Sequence, residues 1–171
     1  KDRKEAIERL FDIELEYTFS TSEQAWAALV LALEIQDIPK FFKKWKTSRD
    51  FAKTVEQIVE ILKLRENGSL DKRVCYKYEK RLLLVAEELR EAYALSVDYL
   101  AIERVYDSLT IHDKHEVVVN GGMLIKEYGF QPGPALGEIL TKIEYAIVDG
   151  ELANEKEAII AYIQQAKEEE K

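Results

Sequence analysis

Helix-breaking residues are concentrated in one short part of this sequence, and their position constrains the fold more than any other feature. Three of the seven glycines and two of the three prolines lie within residues 129–137. Pro134 suits the first position of a helix, where a missing N–H is tolerated, and Gly129 suits the left-handed cap of a preceding helix. The stretch therefore predicts a helix, a tight turn and a second helix. The N-terminal amides of the second helix could bind a phosphate, or the segment could be a plain interhelical turn.

Apolar residues recur at helical spacing through most of the remaining sequence. This pattern predicts helices over residues 1–19, 26–35, 40–46, 48–66, 72–89, 99–109, 123–128, 134–149 and 155–165. Residues 111–120 lack the periodicity, and the run of valines at 117–119 predicts a short extended piece. We therefore predict an all-α fold of eight or nine helices in two packed helical layers, without a sheet. The predicted domains are a helical body over residues 1–110 and a helical tail over residues 111–171.

Capping signals predict where several helices begin and end. The predicted starts share a hydroxyl or amide side chain followed three residues later by an acidic one: Ser20 with Glu23, Thr47 with Asp50, and Asn154 with Glu157. Asn67 and Gly68 predict a left-handed helix end. In the helix over residues 40–46, the aromatic side chains are predicted to face the core: Phe41, Phe42 and Trp45.

Length and composition indicate an ordered globular protein, with 171 residues, 47% of them hydrophobic. The longest apolar run, residues 25–33, is too short to span a bilayer, so no membrane association is predicted. Cys75 is the only cysteine, which excludes an internal disulfide and is typical of a reducing cytosol; we expect it to be a buried apolar side chain. A helical pattern that starts at Lys1, without an initiator methionine, indicates a segment of a longer protein.

The sequence contains no arrangement typical of a catalytic site. P-loop, G-x-G-x-x-G and G-x-S-x-G motifs are absent. His112 and Asp113 suggest a metal site, but His115 is the only other histidine, so we interpret the pair as a solvated turn. Glu87 and Glu88 are interpreted as surface charge on a helix. We predict that this segment has neither catalytic residues nor a metal site of its own.

The net charge of −8 is unevenly distributed, because residues 37–81 contain 13 Lys and Arg against 7 Asp and Glu. Within them a predicted basic track surrounds Trp45 and the joint between two helices: Lys43, Lys44, Lys46, Arg49 and Lys53. Such a local cluster can contact a phosphate backbone even in an acidic protein. Lysines that only solubilise an exposed helix face would give the same pattern.

Several motifs together resemble the C-terminal region of bacterial CCA-adding enzymes, the tRNA nucleotidyltransferases. The most specific are Asn120-Gly121-Gly122-Met123-Leu124-Ile125 and the stretch from Gly129 to Leu140, where glycines and prolines recur at fixed offsets. Residues 149–158 are similar to the family's last two helices. Trp26-Ala27-Ala28-Leu29 and Phe42-Lys43-Lys44-Trp45-Lys46 are similar to its middle helices. The resemblance covers most of this chain but only the rear part of the family's protein.

In that family a catalytic head holds the metal-binding carboxylates, a neck selects CTP and ATP, and the helical body and tail hold the tRNA. Nothing in this sequence matches the head. The resemblance implies a cytoplasmic body and tail, covalently preceded by a head that would bind Mg²⁺ and CTP or ATP, with no cofactor bound by this segment itself. The implied partner is the acceptor–TΨC side and elbow of tRNA.

The resemblance also implies RNA-binding residues at the turn and the helix start that follows it: Lys126, Gly129, Gln131, Gly133, Pro134, Ala135 and Gly137. Backbone amides after Gly133 would meet phosphates, and Gly137 would allow close approach of the RNA. Family members often have a basic residue at the position of Gln131, so a direct ion pair is not expected there. The basic track would provide a second row of phosphate contacts.

Two alternatives remain open at this point. A poly(A) polymerase shares this architecture and differs mainly in its head and neck, so only the upstream sequence would separate it. A non-enzymatic helical interaction module, with its acidic C-terminal half bound to a basic protein, also fits the charge distribution.

Overall fold

A computed structural model describes Glu5, Glu8 and residues 17–169, and residues 17–169 contain helices and no strand. The elements are α1 (Ser22–Ala32), α2 (Ile38–Lys44), α3 (Arg49–Glu66), α4 (Lys72–Lys77), α5 (Lys80–Ala92), α6 (Tyr99–Asp107), a 3₁₀ turn (Lys114–Glu116), α7 (Gly121–Tyr128), α8 (Pro134–Val148) and α9 (Lys156–Glu169). The predicted all-α fold is confirmed. The predicted first helix lies largely outside the described residues, and residues 17–19 are not helical.

The chain forms two compact units that do not follow its order. Of the described residues, the N-terminal unit contains those up to Leu70 together with Tyr78–Arg104, and the C-terminal unit contains Asp71–Lys77 together with those from Val105 onward. The short helix α4, which falls within the predicted body segment, packs against α8 and so belongs to the C-terminal unit. The helical pattern over residues 72–89, predicted as one segment, is therefore two helices with a break at residues 78 and 79.

The N-terminal unit is built around α3, which packs against α1, α2 and α5. The buried stripe of α3 repeats at helical spacing and excludes water: Val55, Ile58, Val59, Ile61 and Leu62. At the end of α3, the Arg65 guanidinium donates to both carboxylate oxygens of Glu87 on α5, at 3.2–3.3 Å. Glu87 is only 1% exposed and also accepts the Asp98 N–H at 2.9 Å. The interpretation of Glu87 as surface charge is wrong, because the carboxylate is buried. The local sequence does not reveal this, since the partner Arg65 is distant in sequence.

Two helix N-caps lie one residue later than predicted. Thr21, rather than Ser20, caps α1 by accepting the Gln24 N–H at 3.0 Å, because Thr21 has the extended backbone of a cap. Ser20 instead donates its hydroxyl to Glu88 at 2.7 Å. Ser48, rather than Thr47, caps α3 in the same way.

The C-terminal unit has α8 at its centre, in contact with α4 and α7. Arg73 of α4 donates to both oxygens of Asp149 at the end of α8, at 2.7–3.2 Å. Tyr76 of α4 donates to Glu144 of α8; burial and this carboxylate raise the pKa of the phenol. Cys75 lies on the buried side of α4, as predicted, and burial raises the pKa of its thiol to about 11.

The segment between α6 and α7 contains a 3₁₀ turn and no strand; Val117, at the end of that turn, has the extended backbone predicted for it. The side chain of Asn154 holds it, accepting the Val118 N–H at 3.0 Å and donating to the Glu116 carbonyl at 2.8 Å. Asn154 was predicted to cap the last helix, but that helix begins at Lys156. A side chain committed to two long-range backbone partners is not available to cap a helix.

Candidate nucleic-acid interface

The turn between α7 and α8 has the geometry that its glycines and prolines predict. Gly129 ends α7 in the left-handed conformation, with φ +68°. Gly133 precedes α8 with φ +152° and ψ −175°, a combination that is essentially restricted to glycine. Pro134 occupies the start of α8, as predicted. The backbone therefore reverses without any side chain obstructing the helix start.

The N-terminus of α8 has backbone amides without an acceptor among the described residues; Ala135 is exposed, whereas Leu136 is buried. No side chain caps this helix, and its first backbone bond runs from the Gly137 N–H to the Gly133 carbonyl at 3.3 Å. Within the described residues, the amides of Ala135 and Leu136 have no acceptor. Gln131, Gly133, Pro134 and Ala135 are all exposed. Such a helix end attracts an anion through its free N–H groups and the helix dipole.

Gly137 lies one turn into α8, is exposed, and has helical backbone. A Cβ built at this position would meet no atom within 4 Å. Glycine inside a helix destabilises it by about 0.5–1 kcal/mol relative to alanine. Neither packing nor backbone geometry therefore requires glycine here. By contrast, a Cβ on Gly121 would lie 3.3 Å from Leu140, so that glycine is explained by the close packing of α7 on α8.

Lys126 lies on the exposed surface of α7. Among the described residues, no carboxylate lies within 4 Å of its amine. Phe130 is half-buried, and its N–H donates to the Leu124 carbonyl at 3.1 Å, which fixes the exit from α7. All seven predicted turn residues, from Lys126 to Gly137, are therefore exposed.

A second surface lies at the joint between α2 and α3, where a groove of about 560 Å³ is open to solvent. Four of the five predicted basic-track residues line this basic groove: Lys43, Lys46, Arg49 and Lys53. Glu56 is the carboxylate in its wall. Lys44 does not line it, although it is exposed at the end of α2.

None of the five basic-track side chains has a carboxylate within 4 Å in the part of the chain that the structure describes. All five are exposed, so their charges remain hydrated and available to a polyanion. At the other end of α3, by contrast, the Arg65 guanidinium is neutralised by Glu87. The sequence prediction of a basic cluster is consistent with this placement, while its binding role stays a prediction.

Trp45 corrects the prediction that all three aromatic residues of α2 face the core. Phe42 is 1% exposed, but Trp45 is 62% exposed. The helix ends at Lys44, and Trp45 forms its C-cap, so the helical spacing that predicted burial no longer applies. The inner part of its indole contacts Trp26 and Phe41, at ring-centroid distances of 6.3 and 6.2 Å.

The described residues offer no donor set for a metal ion, since no three His, Cys, Asp or Glu side chains converge. Asp113 instead caps the 3₁₀ turn by accepting the His115 N–H at 2.7 Å. The His112 ring lies 4.7 Å from the Tyr106 ring. Of the helices that the structure describes, none is both long enough and apolar enough to cross a membrane.

The helical architecture matches a solved structure, the CCA-adding enzyme of Bacillus stearothermophilus in complex with CTP. The TM-score is 0.79 at 27% sequence identity, and the match covers 89% of this chain and 40% of that one. The fold is therefore that of a helical region of a nucleotidyltransferase. Residues 17–163 match the family described as tRNA nucleotidyltransferase domain 2, putative. The chain belongs to this family.

Curated relatives carry the same name. A CCA-adding enzyme of Streptococcus pneumoniae serotype 19F is 59% identical over 164 residues, which is 96% of this chain and 41% of that protein. The CCA-adding enzyme of Streptococcus sanguinis is 56% identical over 167 residues, or 98% of this chain and 42% of that protein. The chain thus spans about two fifths of the length of these relatives, and the predicted family is confirmed.

Proposed function

We propose that this chain is the helical body and tail of a CCA-adding tRNA nucleotidyltransferase, and that it holds tRNA while a preceding head extends the 3′ end. The observation that carries the proposal is the 59% identity to a CCA-adding enzyme across nearly the whole chain. The names of the relatives favour CCA addition over poly(A) addition. Mg²⁺ and CTP or ATP would bind to that head.

The turn between α7 and α8 would contact the tRNA backbone on its acceptor–TΨC side and elbow. The free amides of Ala135 and Leu136 would donate to one phosphate, and Lys126 would neutralise a neighbouring one. Gly137 would let the ribose-phosphate chain approach the helix, since a side chain there would project into open space. These contacts read the shape of the RNA rather than its sequence, as suits an enzyme that accepts many tRNAs.

The basic groove would supply a second row of contacts, made by side-chain charge rather than by backbone. Its lining cations have no carboxylate partner within 4 Å among the described residues. Binding there would release counterions from the RNA and so depend strongly on salt. A cytoplasmic location is part of the same proposal.

A filter-binding titration with tRNA over a salt series tests this function. If about four phosphates are neutralised, the logarithm of the affinity falls by about 3.6 for each tenfold increase in salt. A single-stranded RNA of random sequence serves as the competitor. Equal and weak binding of tRNA and competitor, without a salt slope, would contradict the tRNA-holding role.

A further inference from the structure

The indole of Trp45 is the exposed member of an aromatic cluster that also contains Trp26, Phe41 and Phe42. Its side chain is 62% exposed, whereas the neighbouring Phe42 is 1% exposed. Its contacts with Trp26 and Phe41 are edge-on or tilted, with interplanar angles of 60° and 49°. An exposed tryptophan supported from one side by other rings is a rigid, flat apolar surface.

The surroundings of this surface are cationic. Lys44 and Lys46 flank Trp45 in the chain, and Lys43 and Arg49 line the basic groove beside the same helix joint. Lys46 has a left-handed backbone, with φ +53°, which turns the chain sharply directly after the tryptophan. Within the described residues no carboxylate lies within 4 Å of any of these four cations.

We propose that Trp45 stacks on an unpaired nucleobase of an RNA strand whose adjoining phosphates are neutralised by Lys44, Lys46 and the basic groove. This inference rests on the proposed function and adds a contact with a base to contacts with the backbone. An apolar protein partner would have to desolvate the flanking ammonium groups without compensating them. An RNA strand can contact both the exposed indole and the surrounding cations, because each nucleotide carries a π-face and a phosphate.

The test compares three probes on the full 171-residue chain: a short oligouridine, an abasic ribose-phosphate strand of the same length, and an RNA duplex of equal charge. Stacking predicts that oligouridine binds more tightly than the abasic strand. It also predicts that oligouridine quenches tryptophan emission while the abasic strand does not. Equal binding of both strands overturns the inference.

Trp45→Ala is expected to weaken oligouridine binding about fivefold or more, because one base–aromatic stack contributes roughly 1 kcal/mol or more. It should leave binding of the abasic strand and the duplex unchanged. Trp45→Phe should retain most of the affinity, whereas Trp45→Leu, which keeps an apolar side chain but has no ring, should behave like Trp45→Ala. A melting temperature for each variant separates stacking from misfolding. If Trp45→Leu folds and binds oligouridine normally, the inference is wrong.

The two proposals fail in different ways. Loss of the tRNA salt slope in the unmodified chain contradicts the tRNA-holding function, whatever Trp45 does. A normal salt slope combined with base-independent binding of single strands contradicts the stacking role alone. Quenching that persists in Trp45→Phe, where Trp26 is the remaining indole, also overturns the assignment to Trp45.

Discussion

The two compact units use charge in opposite ways. In the N-terminal unit, the ion pair between Arg65 and Glu87 is buried, with side chains 13% and 1% exposed. The cations of the basic track have no carboxylate within 4 Å in the described part of the chain. In the C-terminal unit, the ion pair between Arg73 and Asp149 is 59% and 23% exposed, and the candidate site is a turn made of glycines and backbone amides. A surface built from side-chain charge tolerates sequence change at single positions, whereas a surface built from backbone depends on individual glycines.

The sharpest test of this contrast is the buried pair. Glu87→Ala leaves the Arg65 charge and the Asp98 N–H unpaired inside the N-terminal unit, so we expect a loss of about 3–5 kcal/mol in the free energy of unfolding. Urea denaturation measures it. The double variant Arg65→Met with Glu87→Leu is the control, because removing both charges together should restore much of that stability. An equally large loss on removing the exposed Arg73 would erase the distinction between the units.

The next largest effect concerns the basic groove and its neighbour Lys44. Replacing Lys43, Lys44 and Lys46 by glutamine is expected to lower tRNA affinity more than about a hundredfold at low salt and to reduce the salt slope by about three. Stability should not change, since all three are exposed. Lys63, on α3 but outside the groove lining, provides a matched single control. An unchanged salt slope in the triple variant would show that the groove is not part of the tRNA interface.

Substitutions at two glycines of the turn region distinguish effects on stability from effects on tRNA binding. Gly133→Ala should destabilise the chain by about 1–3 kcal/mol, because its φ of +152° is unfavourable for a residue with a Cβ. Gly137→Ala should instead stabilise it by about 0.5–1 kcal/mol, since that position is helical and open. We nevertheless expect Gly137→Ala to weaken tRNA binding, because the new methyl group meets the RNA. Thermal denaturation measures the stability of each variant, and filter binding on the same samples measures its tRNA affinity. A stabilised Gly137→Ala variant with full tRNA affinity would show that RNA does not approach this helix closely.

The smallest effect is expected at the exposed pair of the C-terminal unit. The hydrogen bond from the Arg73 guanidinium holds the pKa of Asp149 below its usual range. A carboxylate with a lowered pKa stabilises the folded state above its unfolded pKa, near 3.9, and loses that effect as pH falls through the folded value. The melting temperatures of the unmodified chain and Asp149→Asn should therefore differ slightly at pH 6, and the difference should shrink as the pH falls below about 3.9. A difference that does not shrink on acidification would mean that another group is responsible.

The sequence predicts helices and the glycine turn well because these depend on local chemistry. The left-handed end at Gly129 and the start at Pro134 follow from the conformational limits of those two residue types. Prediction fails where the environment of a residue depends on a partner that is distant in sequence. Glu87 is buried because it pairs with Arg65, which lies 22 residues away in the sequence. Asn154 binds the backbone N–H of Val118, which lies 36 residues away. No local pattern contains those pairings.

The candidate site likewise has parts that the sequence predicts and one part that it does not. A count of charges locates the basic track, and glycine and proline spacing locates the turn. The exposure of Trp45 could not be predicted from apolar periodicity, because the periodicity continues one residue beyond the end of the helix. The lysines on both sides of Trp45 were the available signal, since a core position is seldom flanked by two exposed cations.

The placement of α4 has a consequence for how the protein is made. Residues 71–77 leave the ribosome before α5 and α6, yet the helix that covers them, α8, is complete only about seventy residues later. At about 5–20 residues per second, that delay is several seconds. During this interval α8 cannot yet cover the face of α4 that carries Cys75, and the N-terminal unit is completed partway through it, at residue 104. Apolar surface that is exposed in this way during synthesis favours aggregation, and a chain truncated before α8 would keep that face of α4 uncovered.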